Sequence, residues 1–229
     1  MSDYSIKNFI EETKKDDSKH GFFQLEKPYL LELNIASQTV MVKKGAMVAY
    51  TGDVKFEREG ILSQGIGNLL KKTVSGEGSS IMKTTGTGRI YLADCAKRIR
   101  ILKLENEAIF VNGNDVLAYE ESLKSDIKMM KSVGGIVGGG LFQVKISGTG
   151  HVAVTTHGEP LTLLVKPGQP VFTDPHATVA WSDSLSPSIK TDISLKTFIG
   201  RGSGESFQLK FEGEGWVIVQ PYEEVYGAQ

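Results

Sequence analysis

Three stretches decide the fold: Lys83-Thr84-Thr85-Gly86-Thr87-Gly88, Lys145-Ile146-Ser147-Gly148-Thr149-Gly150 and Lys210-Phe211-Glu212-Gly213-Glu214-Gly215. Each reads Lys-x-x-Gly-x-Gly. Each runs into an apolar stretch, Ile90-Tyr91-Leu92, Val152-Ala153-Val154 and Trp216-Val217-Ile218-Val219. The second glycines stand at 88, 150 and 215, so the spacing is 62 and then 65 residues. A glycine-bearing stretch precedes each copy: Gly76-Glu77-Gly78, Gly138-Gly139-Gly140 and Gly202-Ser203-Gly204.

A second motif recurs between these. An apolar run ending near a glycine leads to an Ala-aromatic pair. The copies are Val40-Met41-Val42 with Gly45 and Ala49-Tyr50, Ile109-Phe110-Val111 with Gly113 and Ala118-Tyr119, and Leu163-Leu164-Val165 with Gly168 and Ala180-Trp181. Two independent motifs sharing a period in the sixties mark an internal repeat. The reading is a single domain over 1–229 with about three copies of one unit, roughly 22–85, 86–147 and 148–225, behind an N-terminal polar segment, 1–21.

Within each unit the apolar runs are three to six residues long. They are rich in Val, Ile, Phe and Tyr and are separated by Gly, Pro, Asn or Asp, the pattern of short strands and turns. Lys166-Pro167-Gly168 and Asn112-Gly113 are turn signals, because Pro presets a negative φ and Gly accepts a positive one. Gly-x-Gly at a strand start suits a close backbone approach that a side chain would block. The Ala-Tyr and Ala-Trp pairs fit small–large alternation inside a sheet.

Helical signals are few. Gly60–Val74 has Ile66, Leu69, Leu70 and Val74 at helical spacing, a face that caps the β-assembly or lies on a membrane. A shorter helix is expected over Ser5–Thr13 with Ser5 as N-cap. Residues 126–133 alternate and are expected as strand. The polar run Lys14 to His20 is expected as a surface loop. The expected class is all-β: three pseudo-equivalent short double-stranded β-helix-like modules with one or two helical insertions.

Composition bounds function. Lys plus Arg is 26 and Asp plus Glu is 27, a net charge of −1, which excludes a basic nucleic-acid arm or an acidic tail. Glycine, 26 of 229 residues, exceeds the usual share of about 7%. One cysteine excludes an internal disulfide and an all-cysteine zinc site. No leader pattern opens the sequence and no run approaches the ~20 apolar residues of a membrane helix, so a cytoplasmic protein without a transmembrane segment is expected.

The ordered set Gly45-Ala46-Met47-Val48-Ala49, Gly52-x-Val54, the glycine-rich turn before Phe142 and Gly148-x-Gly150 resembles the altered-inheritance-of-mitochondria (mitochondrial biogenesis) family, in its uncharacterised bacterial branch. The resemblance runs from about Phe22 to Val225. It implies a fold like the tryptophan RNA-binding attenuation protein, a short double-stranded β-helix that assembles into rings, with three such modules in this chain. It brings no catalytic residues. Asp174-Pro175-His176-Ala177-Thr178 departs from the small-residue turn of relatives.

Candidate chemistry is sparse. His151 and His157 lie six residues apart, ~20 Å along one strand and too far to share a metal. His20 and His176 stand apart from them, and no ligand spacing is present, so neither metal nor cofactor is expected. Cys95 is expected as a small buried residue. Lys71-Lys72 and Lys97-Arg98-x-Arg100 are the basic clusters, expected as solvated faces, with no nucleic-acid partner. Phosphate-binding loops and the Gly-x-Ser-x-Gly elbow are absent. The expected function is a non-enzymatic β-scaffold or binding module that self-associates. The alternatives are a small-molecule-binding protein with its site between repeats, and an enzyme of unrecognised type.

Overall fold

Alternating Val, Ile, Leu and Tyr residues pack well on a pleated, half-buried surface, and here they form an almost entirely β structure. The computed structural model describes residues 4–18, 21–58, 81–129, 142–191 and 207–224. The strands are β1 (Phe23–Lys27), β2 (Leu30–Ala36), β3 (Val40–Lys43), β4 (Met47–Arg58), β5 (Ile81–Leu92), β6 (Arg98–Asn112), β7 (Val116–Glu120) and β8 (Lys124–Met129). They continue with β9 (Phe142–Thr156), β10 (Leu161–Val165), β11 (Val171–Thr173), β12 (Thr178–Ser182), β13 (Ser188–Thr191), β14 (Phe207–Phe211) and β15 (Gly215–Val219). The all-β expectation holds; of the run 126–133 expected as strand, residues 126–129 lie in β8 and 130–133 are outside the described residues.

One α-helix, α1 (Ile6–Thr13), is present among the described residues. Ser5 caps it as expected: its Oγ accepts the Asn8 amide N–H at 3.2 Å. None of its residues is buried. The polar run that follows is tied down as well as solvated: Lys15 Nζ lies 3.3 Å from buried Glu32, and Asp17 3.3 Å from Arg89. The Gly60–Val74 segment, His20 and Lys71-Lys72 lie outside the described residues. No described helix is long and apolar enough to cross a membrane.

A twelve-stranded sheet carries the main path β1-β2-β5-β3-β7-β9-β6-β12-β15-β10, and a three-stranded sheet runs β11-β14-β13. All pairs are antiparallel. β5 meets β2 and β3 along one edge and β4 along the other. β9 meets β6 along one edge and β7 and β8 along the other. β14 and β15 meet β11 and β10 on one side and β13 and β12 on the other. Two further pairings tie these groups together: β3 with β7 and β6 with β12.

The core forms three clusters of buried side chains. One centres on Leu31, Leu33, Ile35, Ile90 and Leu92, one on Val111, Ile146, Val152 and Val179, and one on Trp181, Leu185, Leu209 and Phe211. Ala118-Tyr119 and Ala180-Trp181 are buried as expected, but Ala49 and Tyr50 are exposed. The reason is topological: among the described residues β4 pairs only with β5, so no strand covers its other edge.

The glycine motif sits differently from expectation in two copies. Gly86-Thr87-Gly88 and Gly148-Thr149-Gly150 fall inside β5 and β9, and only Gly215 opens a strand. The close-approach argument nevertheless applies: a Cβ on Gly88 would stand 2.0 Å from the Thr51 carbonyl oxygen of β4. Gly113 does not take the positive φ expected of the Asn-Gly turn. It sits in a 3-10 turn, Gly113–Asp115, where a Cβ would collide with the Phe142 ring. Cys95, expected to be buried, is exposed in the β5–β6 turn.

Candidate functional site

Two features stand out once the strands are in place: a groove on the sheet and a buried ionic cluster at the strand ends. The groove has a volume of about 580 Å³, a size that suits a small ligand. Leu102, Leu104 and Ile109 of β6 form one wall, and Trp216 and Ile218 of β15 another. Ser182 at the end of β12 and Asp183 and Ser184 in the turn after it also line the groove. Its rim carries Lys103, whose Nζ is 2.6 Å from Glu105, and Asp183, 2.6 Å from Lys145. The walls can shield an apolar surface, and the rim charges are already paired.

The ionic cluster is built from turns that the sequence separates widely. Lys97 precedes β6, Asp115 ends the 3-10 turn before β7, His157 follows β9, and Gln220 and Glu224 follow β15. The Lys97 ammonium lies 3.0 Å from Asp115 Oδ1 and also pairs with Glu224. His157 Nδ1 lies 2.8 Å from Glu224 Oε1, and the Gln220 side chain accepts the His157 amide at 2.8 Å. Beside it, Lys43 pairs with Asp94 at 2.7 Å, and Thr155 Oγ1 spans Asp94 and the Asp115 carbonyl.

Burial pushes the Asp115 carboxyl up to about 6, against the pull of Lys97. Burial would also lower Lys97, but Asp115 and Glu224 outweigh it and hold the ammonium above its ordinary value. For Glu224 burial is again outweighed, by Lys97, His157 and Gln220, and its carboxyl stays below the usual range. A carboxyl near neutrality beside an ammonium and an imidazole could move a proton. Here, however, Asp115 is 1% exposed and Lys97 5%, and neither borders the groove. The geometry makes the cluster a clasp across the ends of four strands, β6, β7, β9 and β15.

Sequence reading expected Lys97-Arg98-x-Arg100 as a solvated face. Lys97 is instead buried in this clasp, and Arg98 and Arg100 both pair with Glu159. His151 lies on β9 and pairs through Nδ1 with Glu120, while its ring stacks on Phe23. His151 and His157 therefore serve different carboxylates. Among the described residues no three His, Cys, Asp or Glu side chains gather to hold a metal ion. Asp174 organises the turn before β12, accepting the His176 amide at 2.6 Å.

The repeated glycines serve the backbone, and Ala118-Tyr119 and Ala180-Trp181 serve the core. Gly45 and Gly168 occupy turns before β4 and β11 with positive φ, and Gly86, Gly148, Gly150 and Gly213 also have positive φ. Gly215 sits where a Cβ would meet Ser182 Oγ at 2.2 Å. None of these repeated positions borders the groove.

Compared with known proteins, the chain matches the family model described as mitochondrial biogenesis AIM24 over residues 23–222. It is also similar to the crystal structure of a Streptococcus pyogenes protein solved by a structural genomics consortium. That match has 24% identity and a TM-score of 0.70, and covers 88% of this chain and 92% of the other. At this identity the likeness concerns the fold. No curated protein matches the chain.

Proposed function

The chain belongs to the mitochondrial biogenesis AIM24 family, and we propose that it acts as a non-enzymatic β-scaffold that associates with copies of itself. One observation carries this reading. Among the described residues β1, β4, β8, β10, β11 and β13 each pair along one edge only, and several present large apolar side chains to solvent: Met47, Val48 and Tyr50 on β4, Ile127 on β8, Leu161 and Leu164 on β10, and Phe172 on β11. Unpaired strand edges of this kind are templates for pairing with another chain.

The repeat supports the same reading. Each of β5, β9 and β14–β15 runs between two partners, and Lys83, Lys145 and Lys210 hold the same place in them, opposite Met41, Phe110 and Phe172. The chain is thus read as three copies of one module within a single domain. By this pairing the third copy of the apolar run is Val171-Phe172-Thr173. Leu163-Leu164-Val165 instead lie opposite Gly215-Trp216-Val217. A non-enzymatic role is consistent with a groove of apolar walls and with shifted groups locked in a buried clasp. The basic residues 97, 98 and 100 are neutralised by Asp115, Glu224 and Glu159, which argues against a nucleic-acid partner.

A second reading rests on the groove between β6 and β15, which separates the second and third copies. There the protein would hold a small apolar ligand against Trp216. Native mass spectrometry on gently purified protein distinguishes the two. A defined multiple of 24.9 kDa without added mass supports the scaffold. A monomer with a reproducible adduct reverses the order.

A further inference from the structure

We infer that β11 of one copy pairs, antiparallel and in a defined register, with the free edge of β4 of a second copy. The proposed pairs are Thr173 with Ala49, Phe172 with Tyr50, and Val171 with Thr51. The inference rests on the self-association reading above and names its surface.

The argument comes from the two places where the chain already makes this contact with itself. In the first, β3 meets β7, with Val42 opposite Ala118 and Met41 opposite Tyr119. In the second, β6 meets β12, with Val111 opposite Ala180 and Phe110 opposite Trp181. Each joins an Ala-aromatic pair to a run whose central residue faces a repeat lysine across the next strand. The aromatic residues are covered by this pairing: Tyr119 is 5% exposed and Trp181 2%. The Phe110 and Trp181 rings stack at 5.6 Å.

The chain holds a third Ala-aromatic pair, Ala49-Tyr50, and a third run, Val171-Phe172-Thr173. Among the described residues they have no strand opposite them on that edge. Tyr50 is 48% exposed and Phe172 42%, against 7% for Met41 at the equivalent place. The two halves of a contact made twice inside the molecule are thus left over on two strands that each pair along one edge only.

Charge marks the two internal contacts as well. In both internal contacts the repeat lysine reaches an acidic residue two positions beyond the aromatic one: Lys83 to Glu121 and Lys145 to Asp183, at 2.7 and 2.6 Å. Lys210, opposite Phe172, makes no such cross-contact among the described residues and pairs with its near neighbour Glu212. On β4 an acidic residue, Asp53, stands three positions beyond Tyr50. The position on β4 equivalent to Glu121 and Asp183 is Gly52, so a second copy supplies strand and aromatic ring but no matching carboxylate. The contact is heterologous, each copy offering one different edge, so assemblies grow head to tail and close into a ring if the rotation allows.

The test uses the full chain with Cys95→Ala, since that thiol is exposed. Tyr50→Cys and Phe172→Cys are made in separate chains and mixed under mild oxidation. Facing Cα atoms in an antiparallel pair lie about 4.5–5.5 Å apart, within the span of a disulfide. A mixed dimer is expected, and Lys55→Cys, about 16 Å along β4 by strand rise, is expected to give none with Phe172→Cys. Tyr50→Lys is expected to abolish the oligomer without changing the melting temperature of the released monomer. Cross-links dominated by 50–50 or 172–172 pairs would overturn the head-to-tail register. A stable oligomer without any of these cross-links, and insensitive to Tyr50→Lys, would overturn the surface while leaving self-association standing. A monomer at all concentrations would overturn the self-association reading itself.

Discussion

Lys97→Met isolates the buried clasp. The substitution keeps most of the aliphatic stem and removes the ammonium that neutralises Asp115, 1% exposed, and Glu224. Removing one partner of a buried ion pair costs about 3–5 kcal/mol when the other must stay charged. Asp115, however, has an escape through protonation. Its carboxyl already sits at about 6 with Lys97 in place, and without that cation it rises further. A carboxyl whose folded pKa is raised contributes stability that is full below its unfolded pKa and is lost as pH rises through its folded pKa. Above pH 6 the wild type is ionised at Asp115 while the variant retains a proton there. The cost of the substitution therefore grows by up to about 1.4 kcal/mol per pH unit, or about 2.7 kcal/mol between pH 6 and pH 8. Urea denaturation at fixed protein concentration, followed by tryptophan fluorescence from pH 5 to 8, measures it. Lys97→Met with Asp115→Asn should remove most of that slope. A cost below about 1 kcal/mol at pH 8, or one flat across this range, would refute the clasp as described.

Three other expectations follow from single contacts. Phe211 is fully buried and meets the Trp181 ring edge-on at 5.6 Å, so Phe211→Ala should cost about 3–5 kcal/mol in the same denaturation assay. Gly88→Ala places a methyl 2.0 Å from the Thr51 carbonyl, backbone against backbone, and should cost about 1–3 kcal/mol while loosening β4 in hydrogen exchange. Ser5→Ala removes the cap of α1, a helix that buries none of its residues; amide exchange over residues 6–13 should quicken while the melting temperature stays put.

Much of this fold was legible because its signals are local. Val, Ile and Tyr runs between turn residues mark strands wherever they occur, and Ser5 announces its helix through one side chain. Close backbone approach was legible too, because it admits only glycine, as at Gly88 beside Thr51. Burial was less so. Ala49-Tyr50 reads like Ala118-Tyr119, yet one pair is exposed and the other covered, because covering depends on which strand arrives from far away in sequence. Pairing is hidden for the same reason: Leu163-Leu164-Val165 has the stronger local apolar pattern, yet Phe172 is the residue opposite Lys210. The clasp left no local trace, since Lys97, Asp115, His157 and Glu224 are joined only by the ends of distant strands. Cys95 was misjudged because a turn with positive φ at 95 and 96 turns the thiol outward.

Sedimentation velocity of the wild-type chain and Tyr50→Lys, across a dilution series, tests the central claim that copies of this protein pair through their free strand edges. The account predicts a wild-type species heavier than 24.9 kDa that dissociates on dilution, and a Tyr50→Lys variant that sediments as the monomer. A wild type that stays monomeric at every concentration, or a variant that assembles like the wild type, would contradict it.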